Sequence, residues 1–341
     1  MKTIALTGSG GFIGGYIVQE ALNKGYKVIG IDNLSKYGDV SRSFDENPNY
    51  NFVKGDARDS DLLFEVFQDA DHVIAGAAMI GGISYFHTFA YDLLATNERI
   101  ISSTCDAAIR AHKLGRLSKV TYLSSSMVFE STSSWPSKEG DQLTSPPPKS
   151  SYGFQKLAVE YFARAAWDQY KLPYTILRPF NCVGVGEKKS KSEEKILSGN
   201  VELAMSHVVP DLVQKILKGQ RPLHILGSGS QIRCYTYGGD LARGIVESLE
   251  NENANNEDFN LSTNEPLSVL DVAELIWQRV YGDLKDFEYV SDEPYRYDVE
   301  KRIPDTSKAE QLLGFRAETR LDEILDEVIE FVRQGIEIGA F

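Results

Sequence analysis

A phenol and an ammonium four residues apart, Tyr152 and Lys156, form the pair in this chain best suited to move a proton. Ser151 to Ala163 has the spacing of an amphipathic helix, so the two side chains stand one turn apart on one face. An ammonium beside a phenol favours the phenolate, and a tyrosine needs that help to act as a base near neutral pH. The same spacing also occurs by chance on solvated helix faces, so the pair gains meaning only from its surroundings.

Those surroundings begin at the N-terminus. Lys2 to Thr7 reads as a buried strand, Gly8-Ser9-Gly10-Gly11-Phe12-Ile13-Gly14-Gly15 follows at once, and Tyr16 to Lys24 has helical spacing with a glycine stop at Gly25. Strand, glycine turn and helix in this order form a dinucleotide fingerprint, here with the spacing Gly8-x-x-Gly11-x-x-Gly14. Glycines let the backbone approach a pyrophosphate, whose charge is favoured at a helix N-terminus. A second strand, Lys27 to Ile31, delivers Asp32. Taken alone that carboxylate is a common turn residue, but after this turn it suits an adenosine ribose and repels a 2′-phosphate, so NAD is expected over NADP.

The elements that must hold these groups alternate. Strands are expected near 3–7, 27–31, 51–53, 72–76, 119–124 and 174–178, with long helices over about 89–112 and 151–170. This predicts an α/β fold, a Rossmann-type doubly wound parallel sheet, with a smaller C-terminal α/β substrate-binding domain. The expected division is 1–181 for the NAD-binding part, with return segments near 223–262, and 182–222 with 263–341 for the substrate part. Glu130 to Lys149, with Pro146-Pro147-Pro148, reads as a surface loop beside the site. The polar stretch Glu187 to Asn200 reads as a mobile loop, favoured as a substrate lid over a solvated insertion. Later helices are expected near 210–218, 240–249, 269–280, 307–313 and 321–334, with a strand at 223–226.

The 341 residues are 42% hydrophobic and 25% charged, enough for an ample core. The net charge of -13 argues against nucleic acid or an anionic membrane as partner. The three cysteines are scattered, as are the five histidines, so reduced thiols and no metal are expected. The N-terminus enters the first strand directly, and the most apolar stretch, Val73 to Ile83, is too short to span a bilayer. A soluble cytoplasmic protein is therefore expected.

Together these residues resemble the extended short-chain dehydrogenase/reductase family, and within it the nucleotide-sugar epimerases and dehydratases. The marks run along nearly the whole chain: the glycine turn, Asp32-Asn33, Gly55-Asp56-Ala57, Ala77-Ala78, Ser124-Ser125-Ser126, Tyr152 with Lys156, Arg178-Pro179-Phe180-Asn181, Gly227 to Arg233 with Asp240, and Pro304 to Ala309. The resemblance implies that Ser125 hydrogen-bonds the sugar hydroxyl, Tyr152 takes its proton, and Lys156 binds the nicotinamide ribose. It places Gly8, Gly11, Phe12, Ile13, Gly14, Asp32 and Asn33 around the cofactor. Asp56 and Ala57 would approach the adenine, while Ala77, Ala78, Met79 and Phe180 would lie at the nicotinamide. For the nucleotide sugar it implies Asn181 and Arg233 at the pyrophosphate, with His207 and Arg302 as further substrate contacts. An amide and a guanidinium supply donors suited to phosphate oxygens, although Arg233 could also be read as a surface ion pair. Relatives commonly dimerise through the two long helices, so a homodimer is expected.

The shared opening move in this family is oxidation of the sugar at carbon 4 by NAD. Sugar 4,6-dehydratases carry an Asp-Glu pair after the catalytic serine or threonine, where this chain has Ser126 and Met127. Uronate decarboxylases usually place a glutamate at the position of Met127, and 3,5-epimerases a cysteine. Methionine exchanges no proton. Ala77 to Ile83 resembles the GDP-sugar 3,5-epimerase and fucose-synthase branch, which would need a proton-transfer group such as His87 or His207. The expectation is an NAD-dependent nucleotide-sugar 4-epimerase, which forms a transient 4-keto sugar and returns hydride to the opposite face, acting on a UDP- or GDP-sugar. The alternatives are a dehydratase, 3,5-epimerase or reductase of the same family. A nucleotide-sensing regulator that kept only the fold would commonly lack the tyrosine and lysine, and both are present.

Overall fold

Every side chain of Thr3–Thr7 (β1) is buried, as a strand covered on both faces requires. The computed structural model describes residues 1–81, 88–188, 197–202, 207–294 and 298–341. Beside β1 the main sheet holds Lys27–Asp32 (β2), Tyr50–Lys54 (β3), His72–Ala75 (β4), Lys119–Leu123 (β5), Tyr174–Pro179 (β6) and Glu257–Leu261 (β7). Their order is β7-β6-β5-β4-β1-β2-β3, and all neighbours run parallel. The order reverses between β1 and β4. In such sheets the crevice at the carboxyl ends of the two strands is the place for a ligand.

Helices cover both faces. Phe12–Asn23 (α1) packs on one side, and Ser60–Phe67 (α2), Ala90–His112 (α3) and Ser151–Tyr170 (α4) on the other. The two-residue period of β1 decides what each face sees. Ile4 and Leu6 join Ile17, Val18 and Ala21 of α1, whereas Ala5 faces Phe67, Ile101, Val159 and Ala163.

Beyond β6 the chain builds a second apolar core. Val208–Leu217 (α5), Val269–Tyr281 (α7) and Leu321–Glu337 (α9) enclose it, while Gly238–Glu250 (α6) returns to pack with α1 and Ser307–Leu313 (α8) joins the first core through Ala309 and Leu313. The free edge of β6 is taken by β7, in register from Glu257 opposite Thr175 to Leu261 opposite Pro179. Leu223–Leu226, within the return segments expected near 223–262, pairs with Tyr289–Asp292, and its alternate residues Leu223 and Ile225 enter the second core. The proline-rich loop contains one helical turn, Asp141–Thr144. The expected lid is described only at its ends, because residues 189–196 lie outside the described residues, as do His87, Gly82 and Ile83. No helix among the described residues is long and apolar enough to cross a membrane.

Candidate functional site

One cavity of about 1080 Å³ opens at the switch point and continues between the two cores. Its inner wall begins at the glycine turn. A Cβ on Gly14 would lie 2.0 Å from the Gly8 carbonyl oxygen, and one on Gly8 would lie 2.9 Å from the Ala77 nitrogen. Only bare backbone fits here, which leaves the turn and the start of α1 facing the cavity. Phe12 and Ile13 extend this wall. Arg42 braces the turn from behind, its Nη2 donating to the carbonyls of Gly10 and Gly11 at 3.1 and 3.3 Å.

Asp32 ends β2 with its carboxylate fixed by backbone donors, Gly10 N–H at 3.0 Å and Leu34 N–H at 2.7 Å. Asn33 donates to Asp56 at 3.3 Å, and Arg58 holds the Asp56 carboxyl below its usual range through hydrogen bonds at 2.7 and 2.9 Å. Ala57 lies against them. Across the cavity, Thr7 Oγ1 accepts from the Gly76 and Ala77 N–H groups, both at 3.2 Å. Buried Asn97 on α3 clamps Met79, accepting from its N–H at 2.6 Å and donating to its carbonyl at 2.9 Å. These contacts fix the course of Ala77-Ala78-Met79 along the wall.

The proton-moving groups meet where β5 ends. Ser125 caps a short 3₁₀ turn, Ser126–Phe129, its Oγ accepting from the Met127 N–H at 3.2 Å, and it hydrogen-bonds Tyr152. α4 begins at Ser150, whose Oγ accepts from the Gly153 N–H at 3.0 Å. Glu130 in turn accepts from Ser150 N–H and Lys149 N–H, so the proline-rich loop is tied to the start of the catalytic helix. Lys156 Nζ donates to the Leu123 carbonyl at 2.9 Å and lies 5.9 Å from the Tyr152 ring centre.

The electrostatics differ from the sequence expectation. Burial pushes the Tyr152 phenol up, and the opposing influences are the hydrogen bond from Ser125 and the positive charge of Arg302. Lys156 is itself buried, which pushes its pKa down to about 8. Its ammonium is directed to the β5 backbone, so desolvation outweighs the tuning expected from Lys156 alone.

The outer half of the cavity carries Asn181, His207, Arg233 and Arg302. Asn181 donates to the Cys234 carbonyl at 3.1 Å. His207 precedes α5 and pairs with buried Glu187 at 2.9 Å. Arg233, 5% exposed, meets Asp298 at 3.3 Å, and burial lowers its pKa. Arg302 donates to the thioether of Met127 at 3.5 Å.

One expected residue is placed elsewhere. Phe180 is 1% exposed and packs with Val128, Phe129 and Leu157, its ring 6.2 Å from that of Phe129. Pro179 and Asn181 on either side of it line the cavity, and the Phe180 ring does not. Every other residue that the resemblance places at the cofactor or the substrate lines this cavity. The sequence reading missed Arg42, Asn97 and the contact between Arg302 and Met127. The sequence carried a signal for Asn97 alone, a polar residue on the apolar face of a long helix.

A model of the NAD dependent epimerase/dehydratase family matches residues 4–262. The chain belongs to this family. It is similar over 98% of its length to the UDP-glucose 4-epimerase of Thermotoga maritima, solved with UDP-glucose, covering 99% of that chain at 27% identity and a TM-score of 0.80. It is also similar to the UDP-glucuronic acid 4-epimerase of Bacillus cereus, solved with UDP-glucuronic acid and NAD, at 25% identity over 97% of this chain and 99% of that one, TM-score 0.80. The human dTDP-D-glucose 4,6-dehydratase is 26% identical over 98% of this chain and 91% of its own. NAD is the cofactor of this epimerase/dehydratase family. The residues present fit it: the bare glycine turn admits a pyrophosphate, and the Asp32 carboxylate at the end of β2 disfavours a further phosphate on the ribose.

Proposed function

We propose that this chain is a nucleotide-sugar 4-epimerase that keeps NAD bound through its cycle, acting on a UDP- or GDP-sugar. The observation that carries the reading is the pairing of a complete Ser125, Tyr152 and Lys156 constellation with a thioether, Met127, lying beside it. Ser125 and Tyr152 can move one proton at one hydroxyl. Ser126 and Met127 supply no second acid or base for elimination, decarboxylation or proton exchange at a neighbouring carbon.

In this reading the Ser125 hydroxyl holds the sugar 4-hydroxyl against Tyr152, and the Tyr152 phenolate takes its proton. The chemistry supplied by bound NAD is reversible acceptance of a hydride at carbon 4, with no net change of redox state over a turnover. Lys156, anchored at Leu123 by one N–H, has two more with which to hold the nicotinamide ribose. Asn181 and Arg233 anchor the pyrophosphate while the sugar turns over, so the proton returns to the same oxygen from the same phenol. His207 contributes at the same end, next to the N-terminus of α5.

The test is to incubate purified protein, without added cofactor, with UDP-, GDP-, dTDP- and CDP-sugars in deuterated water, following products by mass and proton NMR. The expected product has unchanged mass, is inverted at carbon 4 and carries no deuterium. Loss of water, or deuterium at carbon 3 or 5, would replace this reading by a dehydratase or a 3,5-epimerase. Tyr152→Phe is expected to lower turnover by at least about 10²-fold while NAD remains bound.

A homodimer belongs to the same proposal. Tyr91 on α3 and Phe154 and Tyr161 on α4 are 77%, 47% and 59% exposed, and pairing these two helices with those of a second copy would cover them.

A further inference from the structure

The sugar itself is still unnamed, and the two arginines of the outer cavity bear on it differently. Arg233 and Arg302 are register partners on the parallel strands Ile232–Cys234 and Lys301–Arg302. Arg233 is already held by protein groups, donating to the carbonyls of Ile232 at 2.8 Å and Glu300 at 3.3 Å and to the Asp298 carboxylate at 3.3 Å. Arg302 has the Met127 thioether at 3.5 Å, a weak acceptor. Its Nε is buried with no hydrogen-bond partner among the described residues. Burial and the neighbouring Arg233 push the Arg302 pKa down to about 9, with Asp298 opposing. That carboxylate is also the partner of Arg233, so two guanidiniums share one negative charge.

The position of this underserved cation is specific. The Met127 N–H donates to Ser125 Oγ, and the charge of Arg302 is felt at the Tyr152 phenol. Arg302 thus stands near the Ser125 and Tyr152 pair at which the 4-hydroxyl is proposed to react, and a group on carbon 5, the next ring carbon, is the substituent it would meet. Around Met127 and Tyr152 the packing is apolar, with Met79, Ile80, Leu93 and Val299 in the cluster. A guanidinium in such surroundings favours an acceptor that carries charge, and its planar fork matches a carboxylate. A neutral hexose offers a hydroxymethyl group at that carbon, which brings no charge.

We infer that the substrate is a nucleoside diphosphate uronic acid and that Arg302 is the residue that selects it, pairing with the carboxylate on carbon 5. The inference rests on the nucleotide-sugar part of the function proposed above, and it makes Arg302 a specificity residue distinct from the pyrophosphate anchors.

Equilibrium binding to the NAD-loaded protein tests it with ligand pairs that differ only at this group, UDP-glucuronate against UDP-glucose and GDP-mannuronate against GDP-mannose, together with UDP and GDP alone. For the base the protein accepts, the uronate is expected to bind about ten-fold or more tightly than the neutral sugar. Arg302→Gln should erase that preference and leave the bare nucleoside diphosphate within about two-fold of its original affinity. Arg302→Lys should keep part of the preference, because the charge remains while the fork is lost. Equal binding of the two members of a pair would overturn the inference. It would also fall if Arg302→Gln weakened bare UDP or GDP as much as the uronate, since the guanidinium would then belong to the pyrophosphate. A uronate that is preferred but not inverted at carbon 4 would leave the role of Arg302 standing and remove the 4-epimerase reading. Failure of every nucleotide sugar to bind would remove both.

Discussion

The Tyr152 phenol is pulled two ways, and its pH behaviour follows from which side wins. Burial raises its pKa, while the Ser125 hydrogen bond and the Arg302 charge lower it. The base form is the deprotonated one, so activity is expected to rise with pH through the phenol pKa. Ser125→Ala removes one of the two stabilisers of the phenolate, so the acid limb of the kcat/KM profile should move to higher pH. It should also cost about 10²-fold in kcat by removing a donor aimed at the reacting oxygen. A pH profile unchanged in position would show that the serine does not touch the phenolate. These residues were legible in the chain because their chemistry depends on short spacings: four residues from Tyr152 to Lys156, and a glycine at every third position of the turn. Arg302 and Met127 are 175 residues apart, and nothing local announces their contact.

At the scale of elements, α4 carries its catalytic face one turn further than the tyrosine and lysine. Glu160, fully buried, accepts from Arg178 on β6 at 2.6 and 2.8 Å, from Ser124 just past β5 at 2.8 Å and from Gln142 at 3.1 Å. Arg178 also meets Asp258 on β7, and Lys308 on α8 donates to Asp258 at 3.0 Å. This network joins the catalytic helix to β6, β7 and the residue that follows β5. Glu160→Ala leaves a buried guanidinium with one carboxylate instead of two, and a loss of about 3–5 kcal/mol is expected in chemical denaturation. A change under about 1 kcal/mol would mean that Asp258 alone suffices for Arg178. The strands and helices themselves were legible from hydrophobic period and glycine stops. Their pairing was less so, as Leu223–Leu226 shows: its partner, Tyr289–Asp292, lies far along the chain and the choice was made by packing. The misplacement of Phe180 has a simpler origin. Phe180 sits between two cavity residues, Pro179 and Asn181, but its ring is taken up by the apolar cluster of Val128, Phe129 and Leu157.

For the whole molecule, the fold class followed from alternating strand and helix signals, and the cavity follows from the fold: the strand-order reversal fixes the cofactor end, and the second core supplies the opposite wall. Assembly is the remaining question at this scale. If the faces of α3 and α4 pair in a homodimer, Tyr161→Glu should convert it to a monomer by sedimentation velocity, with the circular dichroism spectrum unchanged. A dimer that survives this substitution would pair through another surface. The buried charge network also has an order in time. A ribosome delivers Glu160 and Arg178 long before Asp258 and Lys308, so the helix bearing Tyr152 is complete as a segment while its electrostatic anchor is still half made. Only when the late strand β7 and the helix behind it have emerged can the network close. The proton-moving groups are thus the early-made part of an apparatus whose final fastening comes from late-made residues, and an unfinished chain holds the catalytic motif without the means to set it in place.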